Sequence, residues 1–229
     1  MSLPRRFTSD DAIAARVFAR GDEASRTAAQ AVLDALHRDM AAAAAVAHPS
    51  PLLLDEVELR HPTGDDCAAF LEASNASIDL HGSWVAPARD PQEFAAYLER
   101  FEPDSQVSYL VWWRERLAGV VNLQDIIHSN YLGTTLGYYA FSGSDGRGVM
   151  RTAVAKATDI AFEGLGLHRI EAGIQPTNTR SVALVRALGY RLEAYLPRLV
   201  RVDGVWRDHE LWVTTTEEWP GAAAALGRS

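Results

Sequence analysis

The sequence predicts a mixed α/β fold behind a helical N-terminal extension, and three observations predict it. Strong helix formers fill most of residues 1–50; beyond Pro51 short strand and helix patterns alternate; and a glycine-rich loop, Gly143-Ser144-Asp145-Gly146-Arg147-Gly148, joins a β run to a long amphipathic helix. With 48% hydrophobic and 23% charged residues among 229, the chain has the balance of a soluble globular protein with a substantial core.

The extension opens with Ser9, Asp10 and Asp11 as an N-cap signal, and Gly21 breaks the short helix that follows. A second helical stretch runs from Asp22 to Ala47, and His48-Pro49-Ser50-Pro51 ends it, so residues 1–50 predict a helical hairpin. Its alanine face, Ala41 to Ala45, suits close helix packing. It could pair two subunits in a homodimer or cover an acceptor cleft.

The second domain, 51–219, begins with Glu56-Val57-Glu58-Leu59-Arg60, which alternates with the strand period of two. Thr63, Asp65 and Asp66 cap a helix through about Ala73, and Asp90-Pro91 with Glu93 open another through Arg100. Val107–Trp113 and Leu117–Leu123 read as a hairpin across Arg114-Glu115-Arg116, and Thr134–Phe141 as a third β run. Trp112 and Trp113 cannot share one face of a strand, so one should be core and the other partly exposed. Val149–Leu165 carries Ala153, Val154, Ala157, Ile160 and Ala161 on one helical face. Arg169–Ile174 is a strand, Ser181–Leu188 a helix, and Tyr190–Tyr195 and His209–Thr214 complete the sheet, leaving 220–229 as a short tail.

Composition excludes several functions. Cys67 is the single cysteine, so neither an intrachain disulfide nor a thiolate zinc site can form. No run of about 18 apolar residues predicts a membrane span, and Thr8-Ser9-Asp10-Asp11 stands where a signal peptide needs its apolar core, so the cytoplasm is the expected compartment. A formal charge of -8 argues against a nucleic-acid platform and favours cationic partners. The seven histidines, at 37, 48, 61, 81, 128, 168 and 209, lack the spacing of a metal-binding helix, so no metal is expected. No Gly-x-Ser-x-Gly elbow supports a serine hydrolase.

The loop at 143–148 carries the chemistry. Several backbone N–H groups converge there, glycine lets the main chain approach a ligand closely, and the next helix adds partial positive charge at its N-terminus, so phosphate or pyrophosphate is the expected guest. A Walker loop would need Gly-Lys followed by Ser or Thr, but Arg147 follows Gly146 and Val149 follows Gly148. A Rossmann fingerprint would put a third small residue where Arg151 stands, and no second βαβ half follows. Taken alone the loop reads equally as an ordinary strand-to-helix turn; what remains among ligands is a pyrophosphate held by a single loop and helix, which is how coenzyme A is commonly held.

The loop and its helix are followed in order by His168-Arg169-Ile170-Glu171-Ala172, Asn178-x-x-Ser181, Ala187-Leu188-Gly189-Tyr190, Asp203-Gly204-Val205-Trp206-Arg207-Asp208-His209 and Thr215-Thr216-Glu217-Glu218-Trp219. Together these resemble the GNAT acetyltransferase superfamily, and within it the ribosomal-protein alanine N-acetyltransferases, over roughly residues 52–219. The resemblance implies a mixed, mostly antiparallel sheet flanked by helices and acetyl-CoA as co-substrate. It implies that Gly143, Ser144, Asp145, Gly146, Arg147, Gly148 and Val149 bind the pyrophosphate, that the edge near Tyr139 and Phe141 pairs with the pantetheine, and that Asn178 and Ser181 hold the pantetheine arm. The alternative is that Asn178 is only a helix cap, and the two roles can coexist.

This chain departs from the family in three places. Gly143 stands where the family has Gln or Arg, with Arg147 as a possible replacement; Val185 stands where many members have Tyr, which makes Ser181 the catalytic candidate for protonating the CoA sulfur; and Thr135 stands where many have a glutamate base. Glu171, Asp125, His128, His81 and a water relay remain as candidate bases. His81, Trp84 and His128 fall where the family shapes its acceptor pocket, Trp84 reading equally as core, while His168 and His209 read as structural. The expected function is acetyl transfer from acetyl-CoA to a primary amine, most simply a protein N-terminus that an acidic surface would attract. A small-amine acetyltransferase and a non-catalytic CoA-binding regulator are the alternatives.

Overall fold

A computed structural model describes residues 53–102, 104–202 and 204–227. The expected helical extension at 1–50 lies outside the described residues. The elements are β1 (Val57–Arg60), a 3₁₀ turn (Gly64–Asp66), α1 (Cys67–Asn75), α2 (Ile78–His81), α3 (Pro91–Leu98), β2 (Val107–Trp113), β3 (Arg116–Ile127) and β4 (Gly133–Ala140). After them come α4 (Val149–Asp159), a π turn (Ile160–Gly164), β5 (Arg169–Ile174), α5 (Thr179–Ala187), β6 (Arg191–Val202), β7 (Val205–Thr215) and α6 (Ala222–Leu226).

Local chemistry starts these helices where the sequence puts the signals. The Asp66 carboxylate accepts from Thr63 N at 2.8 Å and from Thr63 Oγ1 at 2.9 Å, closing the 3₁₀ turn that leads into α1. Asp90 Oδ1 accepts from Glu93 N at 2.8 Å, and Pro91 occupies the first turn of α3. The helix ends at Leu98, two residues before the expected Arg100.

Seven strands form one sheet in the order β1-β2-β3-β4-β5-β7-β6. Every neighbouring pair is antiparallel except β4 and β5, which run parallel. That parallel pairing covers only Gly133↔Arg169, Thr134↔Ile170 and Thr135↔Glu171. Beyond Thr135 the two strands separate, so the sheet carries an open edge at its centre.

The strand period of two divides the core. Tyr109 and Val111 of β2 join one cluster with Val121, Val154, Ile170, Val182 and Trp212, against α4, α5 and α6. Leu110 of β2 joins Phe70, Phe94, Tyr97, Val120 and Phe141 on the other face, under α1 and α3. Trp112 and Trp113 do point to opposite faces, but neither is core: both are half-buried, Trp112 under the Arg60 guanidinium and Trp113 under those of Arg114 and Arg147.

Several elements differ from the sequence reading. The helix from Val149 becomes a π turn after Asp159, with Leu165 N donating to Ile160 O at 2.9 Å. The last two strands extend past Tyr195 and start before His209, forming a long hairpin whose residues Val200, Val205 and Trp206 are exposed; their alternation is broken by register shifts at Leu192/Ala194 and Leu196/Val200. Residues 222–226 form α6, which buries Ala222, Ala225 and Leu226. The Asp159 carboxylate anchors it, accepting from Trp219 Nε1 at 2.6 Å and from Ala222 N at 3.0 Å.

Candidate active site

The gap between β4 and β5 is a cleft of about 1080 Å³. One wall is Leu136–Ala140 of β4, the other Gly173–Gln175 at the end of β5, with α4 and α5 beginning at its floor and the α2 segment with Trp84 at its rim. The main chain of β4 is directed into it. Phe141 N donates to Ala118 O of β3 at 2.7 Å. By strand alternation Tyr139 also turns its main chain to β3, and Tyr138 and Ala140 turn theirs to the open edge. The edge groups are therefore those of Tyr138 and Ala140 rather than Tyr139 and Phe141. The Phe141 side chain is 1% exposed and belongs to the core, while Tyr139 lines the cleft with its ring.

The glycine-rich loop winds into α4 through left-handed backbone at Gly143 (φ 89°), Gly146 (φ 71°) and Gly148 (φ 80°). The Ser144 hydroxyl is turned inward to the carbonyls of Ala118 (2.8 Å) and Phe141 (2.7 Å), so it pins the loop and is not left for a ligand. Gly148 caps an 11-residue helix with no side-chain acceptor. The first-turn N–H groups of α4 thus face the cleft with the helix dipole behind them, a site for an anion. Ser144, Asp145, Gly146, Gly148 and Val149 line the cleft together with Arg151. Two expected loop residues do not. Gly143 opens on the opposite side toward Trp113 and Arg116, and the Arg147 guanidinium lies 5.6 Å from the Trp113 ring centre, so it does not replace the missing side chain at the loop start.

Asn178 and Ser181 come together at the start of α5, where Asn178 Oδ1 accepts from Ser181 N at 3.2 Å. The cap is real, and it leaves the Asn178 Nδ2 protons for a second partner. Tyr138 reaches across from β4 and donates its hydroxyl to Ser181 O at 3.0 Å, and burial raises its pKa well above the tyrosine range. A tyrosine fixed in this way holds the α5 start against β4. Val185, where a tyrosine acid would stand, is fully buried. Ser181 is then the hydroxyl-bearing residue of the first turn of α5 that lines the cleft.

Among the acceptor candidates, His81 and Trp84 line the cleft and His128 does not. His128 is exposed beyond the end of β3, beside Gly133, at the opposite end of β4 from the loop. His81 is 2% exposed, and its Nε2 donates to Ala140 O at 2.9 Å, closing off part of the open edge. Burial lowers its pKa, so the ring is neutral near pH 7, but its Nδ1 is sealed without a partner. Trp84 is 40% exposed and forms the rim, not the core.

The carboxylate candidates for the base lie elsewhere. Glu171 Oε1 accepts from Tyr131 Oη at 2.5 Å and from Arg169 Nε at 2.7 Å, in a network with Glu193 away from the cleft. Asp125 is an exposed left-handed residue in the β3 bulge. The sequence reading missed Tyr138, Asn122, Arg151 and Arg180 and read His209 as structural; all five line the cleft. Asn122 offers a buried, unpartnered Oδ1 from β3, and Arg151 and Arg180 set positive charge at the first turns of α4 and α5. Position inside those first turns was the available signal for the two arginines; for Asn122, only register could tell.

A sheet splayed at one parallel pair, with an uncapped helix N-terminus at the mouth of the splay, defines the acyl-CoA-binding class of N-acyltransferase fold. The acetyltransferase (GNAT) domain family matches residues 56–191, more than half the chain, and the chain belongs to that family. It is 35% identical over 117 residues to the Bacillus subtilis protein named "Probable N-acetyltransferase YjcK", covering 50% of this chain and 65% of that protein. It is 32% identical over 131 residues to the ribosomal protein uS5 alanine N-acetyltransferase of Escherichia coli, covering 57% and 63%. Each match thus spans just under two thirds of the relative's length. The solved structure of Mycobacterium smegmatis RimJ in complex with CoA-disulfide superposes with a TM-score of 0.69 at 28% identity, over 75% of this chain and 90% of that one.

Proposed function

We propose that the chain is an acetyl-CoA-dependent N-acetyltransferase that acetylates a primary amine, the N-terminal amine of a protein, by direct transfer. The observation that carries this reading is the open edge of β4 at Tyr138 and Ala140, next to the uncapped N-terminus of α4. An extended pantetheine arm can add to such an edge as a short strand, while the pyrophosphate takes the first-turn N–H groups and the positive field of Arg151 and Arg180. The thioester carbonyl then lies beside the splay, where a β4 amide can polarise it, and Ser181 is the donor for the departing sulfur. Asn178 Nδ2 is the donor for the pantetheine amide.

The acceptor rests on kinship: the E. coli relative is named for N-acetylating an alanine of ribosomal protein uS5, and the alanine nitrogen free to react in a protein is that of an N-terminal alanine. The net charge of -8 would draw the basic tail of such a protein toward this chain. The test is free-thiol release from acetyl-CoA against peptides beginning with Ala, Ser or Met and, separately, small primary amines. Turnover on peptides is the expected result. Turnover on small amines alone would move the acceptor to that class, and CoA binding without turnover would make the chain a regulator.

A further inference from the structure

We propose that His209 is the base that takes the proton from the acceptor ammonium, a role that rests on the acetyltransferase reading above. His209 stands on β7 and lines the same cleft as Ser181 and Tyr138. Its ring lies over Gly173 at the open end of β5: a methyl group placed there would sit 4.0 Å from His209 Cδ2. The imidazole therefore stands beside Gly173 at ordinary contact distance, at the splay.

Hydrogen bonding settles which nitrogen can act. Nδ1 lies 3.1 Å from Arg207 O, and a carbonyl only accepts, so Nδ1 carries the hydrogen and the lone pair is on Nε2. Among the described residues Nε2 has no hydrogen-bond partner, and the residue lines the cleft. The residue itself is 6% exposed. Burial lowers its pKa below the ordinary histidine value, partly offset by the Arg207 carbonyl and the Asp208 charge, and the ring is a neutral base at pH 7. Asp208 is the charged group acting on it, and that carboxylate is itself held by Tyr195 Oη at 2.5 Å and Arg198 N at 2.7 Å. Leu199, the other side chain beside Gly173, is uncharged.

The step balances. Nε2 takes one proton from the ammonium, and the freed nitrogen pair forms the C–N bond at the thioester carbon. As the C–S bond breaks, the sulfur keeps its electrons and receives the nitrogen's second proton by way of Ser181. The products are the amide with one N–H, CoA thiol, and a proton on His209 that passes to solvent.

The test compares the full chain with His209→Gln and His209→Asn, acetylating an Ala-initiated peptide from pH 6.5 to 9.5, with CoA affinity and thermal melting measured alongside. A lost base should lower kcat/KM by about 100-fold at pH 7, the low end for general base catalysis. The ratio to wild type should shrink below about 10-fold at pH 9.5, because an α-amine with pKa near 8 is already neutral there. A merely structural role would lower activity by the same factor at every pH. A ratio that does not change with pH, a loss under about threefold at pH 7, or loss of CoA binding in both variants overturns the assignment. A wild-type chain that binds CoA and releases no thiol overturns the acetyltransferase reading itself, and the base with it.

Discussion

Gly119 is the position where a single methyl group should do the most damage. It lies in β3 opposite Ala140 of β4. A Cβ added there would lie 2.4 Å from Met150 Sδ, 2.5 Å from Tyr139 O and 3.2 Å from Ala140 Cα. The Met150 sulfur can swing away, but Tyr139 O belongs to the paired backbone of β4. To restore even a 3.0 Å separation from the 2.5 Å contact, β3 and β4 must part by about half an ångström at the strand that lines the cleft. Overpacking of this kind costs about 1–3 kcal/mol, which in a domain of this size lowers Tm by about 2–12 °C. Gly119→Ala should therefore melt earlier and bind CoA more weakly, because the open edge at Ala140 moves with the contact. Gly137→Ala is the control for stability: its methyl would meet only the flexible Gln124 Oε1 at 3.3 Å. Differential scanning fluorimetry with and without CoA reads both effects. A Gly119→Ala protein with Tm within about 1 °C of wild type and unchanged CoA affinity would refute the reasoning.

Two further predictions concern a cap and a titration. Asn178→Ala removes the acceptor of Ser181 N and should cost about 1 kcal/mol of stability along with CoA affinity; Asn178→Asp keeps the acceptor but not the Nδ2 donor, so melting should recover while CoA affinity, measured by calorimetry, does not. At Glu193, burial would raise the pKa, but hydrogen bonds and charge from Arg169, with Arg191 behind, hold it below the carboxylate value. A lowered folded-state pKa means its stabilisation is full above the unfolded value near 4.5 and lost as pH falls through the folded value, so Tm should drop between about pH 5 and pH 3, less steeply in Glu193→Gln.

The sequence by itself determined most of the elements and pointed to the loop where a cofactor is expected. Local signals do this without help from tertiary contacts: Asp90-Pro91 caps a helix wherever the chain goes, the Arg169–Ile174 alternation is a strand with the same bounds in the fold, and Gly143 to Gly148 before an amphipathic helix marks a loop whose neighbours in sequence pointed to a phosphate. Strand ends were harder, since β6 and β7 continue as a hairpin whose outer residues show no burial pattern to read. The C-terminal helix was missed because Ala222–Leu226 is stabilised by Asp159, some sixty residues away in the chain.

Only the tertiary structure decided which backbone and which side chains meet. The open edge of β4 follows from pairing with β5 that stops at Thr135, and no residue type announces where a ladder ends. The same register turns Phe141 into core, points Tyr138 at Ser181, and sets His209 over the bare backbone of Gly173. Glu171 remained one of several candidate bases in the sequence because its partners are not legible there, and Arg169 and Tyr131 are those partners. The acid-base chemistry proposed for this protein therefore rests on register and burial, which shift a proton's free energy by contacts that are remote in sequence.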